Sequence, residues 1–251
     1  MIVRETEQQF VMITQHEHAQ FSRQIADCFK EELLVDQHYA EAVYLAIQEH
    51  DRSWIRLDDR PVWNDQDSIP FSFNDYPLLP KLVLYKLGLD EIEEMNDYAA
   101  LLCSLHYSSF IHLRQSSLPD CAAFIDHEHA RQQRLKPKLN HPGEYMIEQH
   151  FKLLKLCDEL SLYVCLNEPG ASKDEEHPWY REGFKTLIND QQIMARWISE
   201  INVQIRPFLF KKEFCASLKI KQVSKEAIHQ LGVDRAYQET DWTVQEVTFE
   251  V

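Results

Sequence analysis

The chain has 251 residues and a formal charge of −15, with 44% hydrophobic, 27% charged and 11% aromatic residues. That composition excludes a disordered chain and allows a sizeable buried core. The acidic balance excludes general nucleic-acid or anionic-membrane binding, because phosphate surfaces need basic partners. No run of about 18 apolar residues offers a membrane span.

The opening stretch, MIVRETEQQF, lacks the basic start and apolar run of an export signal, so a cytoplasmic location is expected. On that footing Cys28, Cys103, Cys121, Cys157, Cys165 and Cys215 read as reduced core residues. No CxxC spacing joins them.

Residues 1–14 predict two short strands, MIVRE and FVMIT, around a polar turn. A helix is expected from His16 to about Leu34, with Phe21, Ile25, Cys28 and Phe29 at helical spacing. A second runs from about Asp36 to Asp51 and carries Tyr39, Val43, Ala46, Ile47 and His50 on one side. Residues 52–80 contain Pro61, Pro70, Pro77 and Pro80 and alternate aromatic with acidic residues, which predicts a long irregular loop. Its Trp54, Trp63, Phe71, Phe73 and Tyr76 either pack over the helices or roof a pocket.

Further helices are expected at about 79–87, at 96–113 behind a capping Asn or Asp, at 118–139 with an interruption near Pro137, and at 143–166. Residues 170–186 are a polar loop. The stretches NVQIRPFLF, FCASLKIKQV and WTVQEVTFEV then alternate as strands do. The expected architecture is mainly α: one domain over 1–251, with a helical core at about 15–188 and a β appendage at about 1–14 and 197–251. In it, the N-terminal hairpin and the C-terminal strands form a small sheet.

Four polar residues share apolar helix faces. His18 lies three before Phe21, His50 three after Ile47, Asp51 four after Ile47, and Asp158 four after Leu154 and four before Leu162. At these spacings all four side chains point inward. An uncompensated buried carboxylate costs several kcal/mol, and a divalent metal would neutralise two with one ion while leaving the histidines neutral. Two His and two carboxylates suit Mn, Fe, Co, Ni or Zn better than Mg or Ca. Taken singly, each residue also fits a hydrogen-bonded core group or a cap, with Lys155 close enough to pair with Asp158.

The order His18, then His50-Asp51, then Asp158 within LCDELSL resembles the HD superfamily of metal-dependent phosphohydrolases. The stretches TQHEHA, EHDRSW, DYAALLCSLH, LCDELSLYVC and IRPFLF further resemble an uncharacterised bacterial family with HD-like helices and a C-terminal β portion. The resemblance implies an HD-like helical bundle and one or two ions held by His18, His50, Asp51 and Asp158. In two-metal members, extra histidines between the doublet and the last Asp hold a second ion, and His106 is placed to do so or to bind substrate phosphate.

His129, His16 and Glu17 are weaker candidates. Glu128 and Arg131, three apart, read first as a surface ion pair and alternatively as facing the site. The implied activity is hydrolysis of a small phosphorylated or nucleotide-like substrate. Asp51 would orient the attacking water, with Lys155 and Arg52 offsetting phosphoryl charge. The alternatives are a di-iron oxygenase of HD type, a non-catalytic metal- or ligand-binding protein, and a structural protein in which these groups merely pair. A homodimer is compatible with the sequence.

Overall fold

The computed structural model describes residues 1–251. The first strands are β1 (Ile2–Glu5) and β2 (Gln9–Ile13), paired antiparallel. Helix α1 (Gln15–Asp27) follows, capped by Thr14, whose hydroxyl accepts the Glu17 N–H at 3.1 Å. It stops at Asp27, well before Leu34, because the next residues turn to the sheet side. There Phe29 bridges to Phe210 and stacks on its ring at 4.9 Å.

Helix α2 (Ala40–Glu49) begins late because Asp36 takes a positive φ of 67° and its carboxylate caps the His38 N–H at 3.0 Å. The 52–80 stretch holds single turns at Arg52–Trp54 and Ile55–Asp58 and a two-residue ladder pairing Trp63–Asn64 with Ile69–Pro70. The remaining long helices are α3 (Leu78–Met95), α4 (Asp97–Ser108), α5 (Pro119–Lys138) and α6 (Glu144–Leu166). Helix α1 packs on α2 and α6, and α4 sits among α2, α3, α5 and α6.

Strands β3 (Met194–Trp197), β4 (Asn202–Arg206), β5 (Phe214–Ser224) and β6 (Thr243–Glu250) complete the sheet. Its order is β1-β2-β5-β6-β4-β3, antiparallel throughout except for the parallel β6–β4 pair. Between β5 and β6 lie two short helices, Lys225–Leu231 and Val233–Glu239. Ala216, Leu218 and Ile220 face inward, whereas Cys215, Ser217 and Lys219 are exposed, the alternation of a half-buried strand.

A mainly α bundle with a small β appendage is therefore not what this chain forms. Helix covers 51% and strand 19% of it, and the sheet is a curled six-stranded mixed sheet. Val203, Ile205, Leu218, Val247 and Phe249 lie in the same 52-residue core as the helical residues. The fold is α+β. Alternation along a strand shows which face is buried but not which strand lies beside it, so sheet size is not written in local pattern. The short edge strand β3, with exposed Arg196 in its middle, carries little pattern of its own.

Candidate metal centre

Three helical elements aim polar side chains at one point. His18 leaves the buried face of α1, and Asp158 leaves α6, which packs against it. His50 is the C-cap of α2, and Asp51 opens the Arg52–Trp54 turn. His18 and His50 are fully buried, Asp51 is 5% exposed, and the Asp158 side chain is 17% exposed. Asp158 thus forms the open side of the cluster.

The donor atoms are close. His18 Nε2 lies 3.2 Å from His50 Nε2, 3.1 Å from Asp158 Oδ1 and 3.7 Å from Asp51 Oδ2. His50 Nε2 lies 3.5 Å from Asp51 Oδ2 and 3.6 Å from Asp158 Oδ1. Both imidazoles therefore face both carboxylates. Each imidazole–carboxylate separation, 3.1–3.7 Å, is one that two ligands of a shared ion with bonds of about 2.0–2.2 Å span.

The second ring nitrogens are also engaged. His50 Nδ1 donates to the Ile47 carbonyl at 2.7 Å, so the neutral ring must direct an Nε2 lone pair at the cluster. His18 Nδ1 lies 2.6 Å from Ser161 Oγ. Tyr107, fully buried, reaches Asp51 Oδ1 at 3.5 Å. The donor set and its supports fit a divalent transition metal.

A family model described as Protein of unknown function (DUF3891) matches residues 1–225. The chain belongs to that family. Neither the curated proteins nor the solved structures include a match to it. The span matched by DUF3891 contains all four residues of the cluster and ends before β6.

The electrostatics show what the group demands of a cation. Burial pushes the His50 pKa down, but Asp51, Asp158 and the Ile47 carbonyl outweigh it and raise it to about 9. Burial raises the Asp51 carboxyl despite both histidines. Burial also opposes ionisation of Asp158, but contacts to His18 and His50 prevail and hold it well below the usual carboxylate range. Without a metal, then, the cluster retains a proton on His50. A divalent ion would replace that proton and leave both imidazoles neutral.

His106 lies beside the four. Its Nε2 is 3.9 Å from Asp158 Oδ2, and its ring packs edge-on to His50 at 5.4 Å. Burial lowers its pKa to about 3, and its Nδ1 is buried without a hydrogen-bond partner. His50, His106 and Asp158 form a second group with metal-ligand spacing beside His18, His50 and Asp51.

Lys155 sits one turn before Asp158, half-buried, with its ammonium 5.7 Å from the Phe151 ring. Arg52 is turned elsewhere: Nε donates to Glu91 at 2.8 Å and a terminal nitrogen to Glu49 at 3.0 Å. His129 is exposed, and Glu17 pairs with Lys219 at the surface. Glu128 and Arg131 are not a surface pair. Both are buried, 3.0 Å apart, and Arg131 also engages Asp90 and Glu93. Ser161 and Tyr107 carried no signal read from sequence. Their only mark is position, Ser161 three residues after Asp158 and Tyr107 next to His106.

Proposed function

We propose that this protein is a metal-dependent hydrolase acting on a small phosphorylated or nucleotide-like substrate. The carrying observation is that His18 Nε2 and His50 Nε2, 3.2 Å apart, each lie 3.1–3.7 Å from Asp51 Oδ2 and Asp158 Oδ1. The chain order of these residues is that of HD phosphohydrolases. The reading rests on the side-chain constellation alone, since the surrounding fold is α+β.

When bound, a divalent transition metal would lower the pKa of a water and polarise a phosphoryl oxygen. The chain's own groups would do the rest. Asp51 presents Oδ2 to the cluster and Oδ1 to Tyr107, so its carboxylate is held in one orientation and can accept a hydrogen bond from water. Asp158 marks the side from which substrate reaches the cluster. Lys155, which has no carboxylate partner, offers positive charge to a phosphate on that side. Arg52, already held by two carboxylates, is the weaker source of that charge. The six free cysteines suit a reducing, cytoplasmic setting.

The test is elemental analysis of protein purified without added metal, wild type against His50→Ala, followed by a panel of phosphomonoesters, phosphodiesters and nucleotides. Bound metal in wild type, its loss in His50→Ala and metal-dependent phosphate release support the reading. Equal metal content in the two proteins ends it.

The grouping of His50, His106 and Asp158 favours a second reading with two ions. With iron, that pair would support an oxygenase. A metal-to-chain ratio near two that falls in His106→Ala, together with oxygen-dependent visible absorption, distinguishes it from hydrolysis.

A further inference from the structure

Helix α6 grips both nitrogens of one imidazole. Asp158 and Ser161, three residues apart, share a face of that helix, and His18 projects between them from α1. Asp158 Oδ1 stands 3.1 Å from Nε2, and Ser161 Oγ stands 2.6 Å from Nδ1. Ser161 Oγ is also 3.0 Å from the His18 carbonyl oxygen. Ser161 is fully buried, so no water substitutes for these contacts.

The contrast with His50 is chemical. The Nδ1 partner of His50 is a carbonyl, which only accepts, so neutral His50 has one tautomer. The Nδ1 partner of His18 is a hydroxyl, which both donates and accepts. Two arrangements of the neutral ring therefore keep Nδ1 paired with Ser161 Oγ. In the first, Nε2–H donates to Asp158, and the Ser161 hydroxyl donates to Nδ1. In the second, Nδ1–H donates to Ser161 Oγ, the hydroxyl proton turns to the His18 carbonyl, and Nε2 presents a lone pair to the cluster. The ring carries one proton in both. The Nε2 proton leaves by the solvent-facing Asp158 side as the ion enters, and Nδ1 takes one up from water when the buried contact opens transiently, so the imidazole gains and loses none overall.

We propose that Ser161 is a positioning residue that switches His18 between these tautomers, closing Nε2 against Asp158 when no ion is bound and opening it to a metal. This rests on the metal-binding reading of the cluster. Without the hydroxyl, the metal-competent tautomer leaves a buried N–H unpaired, whereas the closed tautomer keeps its bond to Asp158. Loss of Ser161 therefore works against the metal.

The test uses histidine-labelled nitrogen-15 protein, long-range proton–nitrogen correlation spectra and zinc as the probe. His18→Gln identifies the His18 signals. The expected wild-type result is a proton on Nε2 without zinc and on Nδ1 with it. Ser161→Ala is expected to weaken zinc binding about 10–100-fold in chelator competition. Ser161→Thr, which keeps the hydroxyl, is expected to stay close to wild type.

Thermal melting of the zinc-free variants separates an effect on affinity from an effect on folding. Should Ser161→Ala fail to fold, the wild-type tautomers with and without zinc decide the matter alone. The same His18 tautomer in both conditions, or wild-type affinity in Ser161→Ala, overturns the switch while leaving the metal site standing. A wild type that takes up no metal overturns the site itself, and the switch with it.

Discussion

Gly88 and Ser53 touch so closely that no side chain fits between them. A Cβ at Gly88 would stand 2.5 Å from Ser53 Cα and 2.7 Å from Ser53 N. Helix α3 therefore lies directly on the turn that follows His50-Asp51, and it fixes where the doublet points. In an open helix, Gly→Ala would stabilise by about 1 kcal/mol. Here the obstacle is backbone, which does not swing aside. Gly88→Ala is expected to destabilise by about 1–3 kcal/mol in urea denaturation and to lower bound metal by displacing the turn. Wild-type stability with full metal occupancy would show that the turn yields.

Much of the site was legible in sequence because its residues obey helical periodicity. His18 shares a face with Phe21 and Ile25, and Asp158 with Leu154 and Leu162, so burial predicted convergence. The supporting contacts were not legible. Ser161 meets His18 across 143 residues, and nothing local marks that pairing. The sheet failed for the same reason. Strand β6 pairs with β5 along Thr243–Phe249 and with β4 through Thr248–Glu250, and neither partnership leaves a trace in the alternation of WTVQEVTFEV. The Glu128–Arg131 pair was placed on the surface because charged i, i+3 pairs usually are. Its burial is set by α3, which supplies Asp90 and Glu93.

Charge at the open side of the cluster gives a second prediction. Asp158→Asn keeps the shape of the side chain but removes an anionic ligand. Metal occupancy is expected to fall at least about tenfold, as for loss of a coordinating or supporting group. The metal-free fold should persist, since the residue is partly solvated. Metal content alongside circular dichroism checks both halves. Unchanged occupancy would remove Asp158 from the ligand set.

The pH dependence of metal binding follows from His50. Its folded pKa is raised to about 9, above the ordinary value of 6.5. Metal must displace that proton, so apparent affinity is expected to rise by about tenfold per pH unit as pH climbs toward 9 and then level off. The stability of the metal-free protein runs the other way. The contribution of His50 is fully present below pH 6.5 and is lost as pH rises through 9, because the folded state binds the extra proton in that window. Metal titrations and urea melts across pH 6–10 check the two slopes. Affinity independent of pH would show that no proton is displaced.

Deletion beyond Lys225 tests whether the matched family span suffices for the fold. It removes β6, which lies inside the sheet between β5 and β4, and takes Val247 and Phe249 from the core. The edges of β5 and β4 are left unpaired, a state prone to aggregation. Residues 1–225 alone are expected to be insoluble or to lack a cooperative melt, as read by size-exclusion chromatography and thermal denaturation. A monomeric fragment with a sharp transition would show that β4 and β5 close on each other.

Arg131 carries the last prediction. Its guanidinium is 2% exposed and neutralises Glu128, which is fully buried, at 3.0 Å. The other two partners are better provided for: Asp90 is 58% exposed, and Glu93 keeps Arg134. Removing Arg131 therefore falls chiefly on Glu128, which retains only His127 at 2.9 Å. Arg131→Met is expected to cost about 3–5 kcal/mol, the usual penalty for stranding a buried charge. Glu128→Gln in the same chain removes the stranded charge while keeping the shape, so the double variant should recover a large part of the loss. The coupling from the double-mutant cycle in urea should exceed about 1 kcal/mol. Simple additivity would mean that the two side chains do not depend on each other for stability.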